Sequence, residues 1–469
     1  MKINHTARYQ ARFGIRRTLR GYQLQAAKVG TDNDSFALLM APRLGKTRID
    51  IAVAGYRRKV NKIKRWVIIA PAIAKQVWAD EIAEVLDVPF YLEIVEGKAK
   101  ERKLLLKDWQ DQPGKLSIVV MNHEATWRLK KFLYKFNPDK VTVDESHKIK
   151  NHAAKQSRTI HTLGKRAKFR SILTGTLLST PTDVFSQYKF LEPSIFGERW
   201  ADFLEDYVDT YGFGGHKPKT FKNLDDLQNK LLSVAFRLTR EEAGGFPEEQ
   251  YQTIHFELTN PALRHYQDME NQLKTIVHGN EVNAEIVLTQ TLRMQQITGG
   301  FLPVLEPDED QATNVALGND RMRALVGVLE EYDSTEPLVI FARFRYELQA
   351  ILDQLKKMRR SANFIAGGMK GNTRDQAKVD FQKGKVNTCV VQIRAGGIAI
   401  ELSRANTAIF YSSTHSFIDY EQAKARIIAR TGGKVSLLHL AARGTVDEDI
   451  IESVQTKQSL AERILKKFS

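Results

Sequence analysis

The sequence contains very little cysteine and no long apolar run. Cys389 is its one cysteine, so no internal disulfide can form, and no cysteine and histidine residues follow the spacing of a metal site. The basic N-terminal residues are not followed by the apolar segment of a signal peptide, and no run of about 18 apolar residues occurs. These absences predict a cytoplasmic protein with no structural zinc and no membrane partner, in which Cys389 packs as a small core residue.

Acidic residues are too few to balance the basic ones. Lysine and arginine total 71 against 55 aspartates and glutamates, which gives a formal net charge of +16. This excess indicates a polyanionic partner, most simply nucleic acid, with a generally basic protein as the plainer alternative. The 469 residues, 42% of them hydrophobic, are enough for two or three domains with cores of their own.

Short apolar runs alternate with longer amphipathic stretches through the first 190 residues or so. These runs are typical of buried parallel strands, and they read SFALLMA, WVIIAPA, LSIVVMN, KVTVDE and FRSILTGT. A charged, helix-forming region follows, after which the α/β rhythm returns with PLVIFARF, SANFIAGG, NTCVVQI, TAIFYSS and VSLLHLAA. We therefore expect an α/β domain at residues 1–194, a mostly helical insertion and linker at 195–310, and a second α/β domain at 311–469.

The stretch MAPRLGKTRID, residues 40–50, resembles a phosphate-binding loop between a strand and a helix. Met40 stands where the pattern G-x-x-x-x-G-K-[ST] has its first glycine, whereas Gly45, Lys46 and Thr47 match. In such a loop the backbone N–H groups face phosphates, the lysine reaches the outer phosphates and the threonine hydroxyl holds Mg²⁺. The pattern indicates a nucleotide site, although an isolated G-K-T is common by chance.

A second acidic element, VTVDESHKIKN, follows another apolar run. Asp144 ends that run, where a carboxylate can hold Mg²⁺, and Glu145 can polarise an attacking water. By itself this segment would be interpreted as a charged turn after a strand. Together with the loop around Lys46, it favours hydrolysis of a nucleotide.

The order of motifs along the chain resembles Swi/Snf-type superfamily 2 helicases. The first-half motifs are LRGYQLQAA, APRLGKT, APAIAKQVWADEI, DESHKIKN and LTGTLLSTPTDVFSQYKFLEP. The second-half motifs are VIFARFRYELQAI, IAGGMKGNTRDQAKVDFQ, VVQIRAGGIAIELSRANTAIFYSSTHSFIDYEQAKARIIARTGG and GTVDEDIIESV. The resemblance implies an α/β fold with two RecA-like lobes and mainly parallel sheets, ATP and Mg²⁺ as cofactors, and DNA bound across both lobes.

The resemblance also implies roles for individual residues. The catalytic candidates are Lys46, Asp144, Glu145, Arg426 and Arg430, of which the two arginines reach the γ-phosphate from the opposite lobe. Gln23 recognises the adenine edge, and Arg20 or Tyr22 shapes that pocket. The candidates for nucleotide binding are Arg20, Tyr22, Gln23, Arg43, Leu44, Gly45, Lys46, Thr47, Arg48, His147 and Gly397, with Thr47 and Asp144 as the metal ligands.

The candidates for contact with nucleic acid lie in or beside strand-end segments. They are Lys75, Asn122, His123, Thr174, Thr176, Arg343 and Arg345, with the two threonines linking the ATP site to the nucleic acid. A capped turn around the threonines and solvated basic loops are the alternatives. Trp78 recurs at helical spacing with Ala74, Ile82 and Val85, which predicts a core residue rather than a stacking platform.

Four residues depart from the family pattern. Arg43 and Leu177 replace a usual glycine and a usual proline, and Ala399 and Glu401 replace a usual glycine and asparagine. Arg43 places a bulky cation near the phosphates, where it either adds a contact or weakens nucleotide binding. Glu401 places a carboxylate where a neutral amide is usual, which is expected to alter coupling without abolishing turnover.

These features together predict an ATP-dependent translocase or helicase that acts on double-stranded or branched DNA, in recombination, fork remodelling or branch migration. The short chain is similar to small stand-alone members from tailed bacteriophages and bacteria, which would place a phage-encoded copy in the cytoplasm of the bacterial host. Three alternatives remain open: a helicase on RNA or RNA–DNA hybrids, a DNA-binding scaffold that does not hydrolyse ATP, and a motor subunit of a larger complex. The sequence does not indicate a protein partner.

Overall fold

The computed structural model describes residues 12–97, 109–175, 181–211, 217–279, 284–304, 313–369, 371–394, 401–428 and 433–454. The chain divides into two compact units at the Gly244–Gly245 bond. Both glycines have positive φ angles, of 63° and 74°, which a residue with a side chain seldom adopts. Within the described residues, no helix is both long and apolar enough to cross a membrane.

The first unit is built on a seven-stranded sheet. The strands of the unit are β1 (Ser35–Met40), β2 (Arg65–Ala70), β3 (Phe90–Ile94), β4 (Leu116–Asn122), β5 (Lys140–Asp144), β6 (Phe169–Thr174), β7 (Val208–Tyr211), β8 (Lys217–Phe221) and β9 (Ala235–Leu238). The sheet order is β3-β4-β2-β5-β6-β1-β9 with every neighbouring pair parallel, while β7 and β8 form a separate antiparallel pair. Because all residues of β1 and β4 are buried, helices must cover both faces of the sheet.

Eleven helices accompany these strands within the described residues of the first unit. They are α1 (Gly21–Asp32), α2 (Lys46–Lys59), α3 (Lys75–Val85), α4 (His123–Arg128), α5 (Lys130–Phe136), α6 (Lys155–Arg166), α7 (Val184–Leu191), α8 (Pro193–Phe196), α9 (Trp200–Tyr207), α10 (Leu224–Leu232) and α11 (Arg240–Ala243). Two short 3-10 turns, Ser146–Ile149 and Pro181–Asp183, lie among them. The helix α2 starts directly after the loop that follows β1, so the predicted strand, loop and helix around Lys46 are present.

The second unit has a six-stranded sheet. Its strands are β10 (Glu248–Phe256), β11 (Phe301–Val304), β12 (Thr313–Ala316), β13 (Leu338–Ala342), β14 (Ala362–Ile365), β15 (Thr388–Gln392), β16 (Thr407–Phe410) and β17 (Lys434–Ala442). The sheet order is β10-β17-β16-β13-β15-β14, again parallel throughout, and β11 pairs with β12 in a separate antiparallel ribbon. The helices of this unit are α12 (Ala262–Gly279), α13 (Ala284–Thr298), α14 (Asp320–Glu330), α15 (Arg345–Lys357), α16 (Gly371–Gln382) and α17 (Phe417–Lys424).

The predicted fold class is confirmed, because both units are α/β with a mainly parallel sheet, as expected of two RecA-like lobes. The expected boundaries at residues 194 and 310 differ from the observed division at Gly244. Within 195–310, β9 joins the edge of the first sheet and β10 joins the edge of the second, so the segment is shared between the units. The sequence pattern did not indicate β10 because most of its side chains are exposed or half-buried, and an edge strand of this kind has no continuous apolar run.

A buried ion pair connects α2 to the first sheet. The Lys140 ammonium donates to Asp50 Oδ1 at 2.8 Å and to Ser171 Oγ at 2.8 Å, and the Thr142 hydroxyl donates to Asp50 Oδ2 at 2.7 Å. Lys140 and Asp50 are both fully buried, and this burial lowers the pKa of Lys140 to about 8 although the Asp50 charge opposes the shift. Two buried charges are tolerated here because each has hydrogen-bond partners besides the other.

Removing one charge of this pair should cost far more stability than removing both. We expect Lys140→Met to lower the free energy of unfolding by about 3–5 kcal/mol, because the Asp50 carboxylate stays buried without its cation, and the Asp50→Asn/Lys140→Met double variant to recover part of that loss. The measurement is urea unfolding followed by tryptophan fluorescence, which reports on the first unit because Trp66, Trp78, Trp109, Trp127 and Trp200 all lie in it.

The matched control removes a lysine from an exposed ion pair on α10. Lys230 and Asp226 form an i,i+4 pair whose side chains are 43% and 52% exposed, so Lys230→Met should cost less than about 1 kcal/mol. Equal losses for Lys140→Met and Lys230→Met would contradict the importance given to the buried pair.

Candidate functional site

The loop between β1 and α2 has the backbone of a phosphate-binding loop. Gly45 precedes α2 with a φ of 83°, and a Cβ at this position would come within 2.3 Å of Gln23 Nε2. Glycine is therefore required at residue 45 both for its backbone conformation and for space. The first N–H groups of α2, which begins at Lys46, have no helical acceptors and can bind an anion.

Arg43 occupies a position where the backbone conformation suits glycine. Its φ is 70°, in the left-handed region that costs a residue with a Cβ about 1–2 kcal/mol. The family's glycine at this position is thus replaced by a residue that keeps the glycine-like backbone. Arginine instead of glycine at residue 43 therefore changes the side chain that the loop carries, while the backbone keeps a conformation that glycine also adopts.

Two of the three residues expected at the adenine pocket, Tyr22 and Gln23, lie against this loop. The Tyr22 hydroxyl and the Gln23 amide both donate to the Leu44 carbonyl, at 3.2 and 3.1 Å. Gln23 Oε1 also accepts from the Arg20 backbone N–H at 2.9 Å, so the buried glutamine links the start of α1 to the loop. This position beside the loop is compatible with adenine recognition, which stays a prediction. The hydrogen bonds to the Leu44 carbonyl also support the loop, a role that the sequence did not indicate.

Lys46 lies inside the curve of the loop. Its ammonium donates to the Met40 carbonyl at 2.9 Å, and burial lowers its pKa while the nearby Glu145 and Asp144 carboxylates oppose the shift. The lysine and the two carboxylates therefore share one site, although they come from segments about 100 residues apart. Thr47, the predicted metal ligand, follows in the first turn of α2.

The acidic pair ends β5 at the same edge of the sheet. Burial and the Glu145 charge raise the pKa of Asp144 to about 6, while hydrogen bonds and Lys46 act in the opposite direction. Asp144 Oδ1 accepts from the Glu145 backbone N–H at 2.9 Å. Glu145 has a φ of 48° and a ψ of 55°, a left-handed conformation that is rare outside glycine and asparagine and that often occurs at functional sites.

Trp78 holds the other oxygen of Asp144. Its indole N–H donates to Asp144 Oδ2 at 2.8 Å, and its ring packs edge to face against Trp66 with centroids 6.2 Å apart. The prediction of a core residue is confirmed, since Trp78 is only 1% exposed, and Ile82 and Val85 are buried with it on α3. Sequence analysis missed the hydrogen bond because helical spacing reveals the buried face of Trp78 and not the partner of its N–H group.

Two further predicted nucleotide-binding residues, His147 and Arg48, lie in the same unit as this centre. His147 is buried with Nδ1 3.3 Å from Glu145 Oε2, which places it beside the acidic pair. Arg48 forms an ion pair with Glu81 at 3.0 Å, and so its guanidinium serves the contact between α2 and α3. Gly397, the last of the predicted nucleotide-binding residues, lies outside the described residues.

The segment after β6 packs against the loop. Thr174 is fully buried at the end of β6, and a Cβ on Gly175 would approach Pro42 Cδ to 2.9 Å. The close approach of Gly175 to Pro42 gives this segment direct contact with the phosphate-binding loop, which suits the predicted linking role. Thr176 and Leu177 lie outside the described residues.

Three predicted nucleic-acid contacts are buried, and the structure does not present them to a partner. The Lys75 ammonium donates to the Val95 carbonyl at 2.8 Å, and the Asn122 amide donates to Glu124 at 2.6 Å. His123 Nε2 lies 2.9 Å from the Asp144 carbonyl, and burial lowers the pKa of His123 to about 4, so the neutral ring donates to that carbonyl. Lys75 begins α3, whereas Asn122 ends β4 and His123 follows it directly; all three side chains bond within the first unit, and their contact with nucleic acid stays a prediction.

The predicted residues of the second unit lie at two places. Arg343 directly follows β13 and bonds to Gln295, and Arg345 begins α15 and donates to the Gly367 carbonyl at 2.5 Å. Arg426 lies just after α17, and its carbonyl accepts from the Leu402 N–H at 2.9 Å. Glu401 accepts from the Ser403 hydroxyl at 2.8 Å. Arg430 and Ala399 lie outside the described residues, so the predicted arginine pair is not tested.

The centre around Lys46 fits a nucleotide with Mg²⁺. An ammonium, two crowded carboxylates and the free N–H groups of a helix start converge at one edge of the first sheet. Burial and the neighbouring Glu145 charge raise the pKa of Asp144, and a divalent cation would relieve the crowding of the two carboxylates, whose oxygens are the ligands that Mg²⁺ prefers.

Two family models match the chain. The SNF2-related domain matches residues 31–298, and the helicase conserved C-terminal domain matches residues 320–432. The first match alone includes more than half of the chain. The first match includes Lys46, Asp144 and Glu145, and the second includes Arg343, Arg345 and Arg426.

Similar curated proteins are much longer than this chain. Human Chromodomain-helicase-DNA-binding protein 1 is 23% identical over 96% of this chain and 27% of its own length, and mouse Chromodomain-helicase-DNA-binding protein 1-like is 22% identical over 90% and 47%. A rice probable chromatin-remodeling complex ATPase chain is 24% identical over 89% and 38%. The chain thus spans between about a quarter and a half of the length of these relatives.

Among solved structures, one that matches is the Sulfolobus solfataricus SWI2/SNF2 ATPase core in complex with dsDNA. It is 19% identical, with 97% of this chain and 94% of that chain covered, and the TM-score is 0.45.

The hydrogen bond from Trp78 generates a prediction about Mg²⁺. Trp78→Phe keeps the aromatic packing but removes the N–H donor of Asp144, so we expect the Mg²⁺ concentration needed for nucleotide binding to rise about tenfold. The measurement is an Mg²⁺ titration of the binding of a fluorescent ADP analogue, which does not depend on turnover. Trp200→Phe, a change on α9 of the same unit, is the control and should leave the midpoint unchanged; an unchanged midpoint in Trp78→Phe too would disprove the role.

The left-handed backbone at Arg43 generates a second prediction. If the conformation matters more than the guanidinium, Arg43→Gly should bind the ADP analogue within about threefold of the unsubstituted protein, because glycine removes about 1–2 kcal/mol of strain. Arg43→Val should bind it at least tenfold more weakly, because a β-branched residue strongly disfavours a φ of 70°. Equal weakening in both variants would instead assign the effect to loss of the guanidinium.

Proposed function

This chain belongs to the SNF2-related domain family, and on that premise we propose that it is an ATP-dependent translocase on double-stranded or branched DNA. The observation that carries the proposal is the convergence of Lys46, Asp144 and Glu145 at the carboxyl edge of one parallel sheet. A cation that neutralises phosphate and a paired acidic site are the parts that phosphoryl transfer to water requires.

Each residue of the centre has a chemical task in this proposal. Lys46 and the N–H groups at the start of α2 bind and orient the phosphates, and Asp144 with Thr47 holds Mg²⁺, which supplies positive charge to the phosphate oxygens when it is bound. Glu145 polarises the attacking water and accepts its proton. Trp78 fixes the Asp144 carboxylate through one oxygen, and the Glu145 N–H fixes it through the other.

Several observations support DNA as the polymer. The net charge of +16 favours a polyanion, and relatives that match along most of this chain are named as helicases that bind DNA. Branched DNA as the preferred substrate is the finer part of the proposal. RNA is the alternative polymer.

A single set of ATPase assays tests the proposal. We expect hydrolysis to be low without nucleic acid and to rise at least tenfold with linear duplex or a four-way junction, and less with single-stranded DNA or RNA of matched sequence. Lys46→Ala should abolish hydrolysis by removing phosphate binding, whereas Glu145→Gln should bind the ADP analogue normally and fail to turn over.

The pattern of failure discriminates between the alternatives. Stimulation by RNA above that by duplex DNA would favour the RNA helicase, and stimulation by linear duplex equal to that by junctions would remove the preference for branched DNA. Nucleotide binding without hydrolysis under any condition would favour a scaffold. DNA binding that does not weaken between low and moderate salt would contradict the electrostatic part of the proposal.

A further inference from the structure

The first unit contains a second concave site, at the opposite end of the strands from the nucleotide centre. A cavity of about 690 Å³ lies beside α5 and the amino end of β2, where Arg65 is the first residue of the strand. The phosphate-binding loop and Asp144 lie at the carboxyl ends of their strands, about 17 Å away along the strand direction. The cavity therefore takes no part in the chemistry described above.

Aromatic side chains form the floor of the cavity. Trp109 packs edge to face against Phe136 and Phe132, with ring centroids 5.5 and 6.3 Å apart, and Phe132 stacks on Phe136 at 5.5 Å. Phe136 and Leu129 are buried, but Trp109 and Phe132 keep part of their surface exposed to the cavity. Aromatic surface that is partly open in a concave site is typical of anchor pockets for a partner's side chain.

Cationic side chains form the rim. Arg128, Lys130, Lys131 and Lys135 line the cavity and are exposed, and among the described residues none of the four forms an ion pair with a carboxylate. The one carboxylate in the lining, Asp111, is already held by Arg65 at 2.6 Å. Within the described part of the chain, the rim therefore carries more positive than negative charge around an apolar floor.

Trp127 also lines the cavity, and two cationic side chains lie near its ring. The Arg128 guanidinium lies 5.2 Å and the Lys155 ammonium 5.1 Å from its ring centroid, within the range of cation–π attraction. Arg128 also lines the cavity, so a negatively charged ligand there would meet a guanidinium that is held against the indole.

We propose that this cavity is a docking site for an acidic peptide segment of a partner protein. One aromatic or aliphatic side chain of the segment enters between Trp109 and Phe132, and carboxylates on either side of it bind the lysines of α5. The shape favours a peptide over nucleic acid, since a strand binds along a groove that follows its backbone, whereas this is a bounded cavity with its cations on one rim. The proposal does not depend on the proposed function.

Fluorescence anisotropy with a defined probe tests the proposal. The probe is a dye-labelled octapeptide with a central phenylalanine–leucine pair flanked by glutamates and aspartates, and we expect it to bind the full chain at micromolar concentration. Replacing the central pair by serines, or the acidic residues by lysines, should weaken binding at least tenfold. Binding should also quench or shift the tryptophan fluorescence, because Trp109 and Trp127 line the cavity.

Charge reversal on the rim provides the decisive variant. Lys131→Glu/Lys135→Glu changes two exposed side chains on α5, so the fold should persist, and we expect probe affinity to fall at least tenfold with unchanged basal ATP hydrolysis. The control is Lys356→Glu/Lys357→Glu, which reverses two exposed lysines in the last turn of α15 and should leave probe binding unchanged.

Three results would overturn the proposal. One is absence of probe binding up to about 1 mM, and another is equal loss of binding in the two double variants, which would indicate a general charge effect. The third is a rim variant that loses affinity for a labelled DNA duplex while the peptide never binds, which would assign the cavity to nucleic acid.

Discussion

The buried ion pair between Lys140 and Asp50 is the constraint on which the nucleotide centre depends. Side chains alternate along a strand, so Lys140, Thr142 and Asp144 lie on the same face of β5. Because Lys140 and Thr142 both bond to Asp50 on α2, that face must be the one that α2 covers. Asp144 is therefore directed towards the side of the sheet on which the helix after the phosphate-binding loop begins.

Two tryptophans extend this arrangement towards Asp144. The Trp66 N–H donates to Thr142 Oγ1 at 2.9 Å, and Trp78, packed against Trp66, donates to Asp144. The carboxylate at the end of β5 is thus held by groups that are themselves fixed in the core. Burying a carboxylate such as that of Asp144 is energetically unfavourable, and such fixed donors allow the fold to keep it in one orientation.

Much of the fold was predictable from the sequence because its strands are short apolar runs with helices between them. The loop at Lys46 and the acidic pair were predictable because their residue types and spacing are those that binding of phosphate and Mg²⁺ requires. The sequence could not show that the side chains of Lys75 and His123 point inwards. A lysine or a histidine after a strand gives the same sequence pattern whether its side chain contacts a backbone carbonyl or a phosphate. The sequence also could not show β10, whose half-exposed residues lack an apolar run, or the glycine-like backbone of Arg43.

Three buried cations of the chain add nothing to its net positive charge, because each lies against carboxylates. The buried cations Lys140 and Arg321 each lie against a buried carboxylate, Asp50 and Asp447, and so cancel in the net charge. Lys424 is paired with both Glu249 and Glu421, so this cluster of one cation and two carboxylates contributes net negative charge. The excess of +16 is therefore carried by residues outside these clusters. Part of it borders the cavity beside α5, away from the nucleotide centre, so the net charge of the chain does not by itself mark a single nucleic-acid surface.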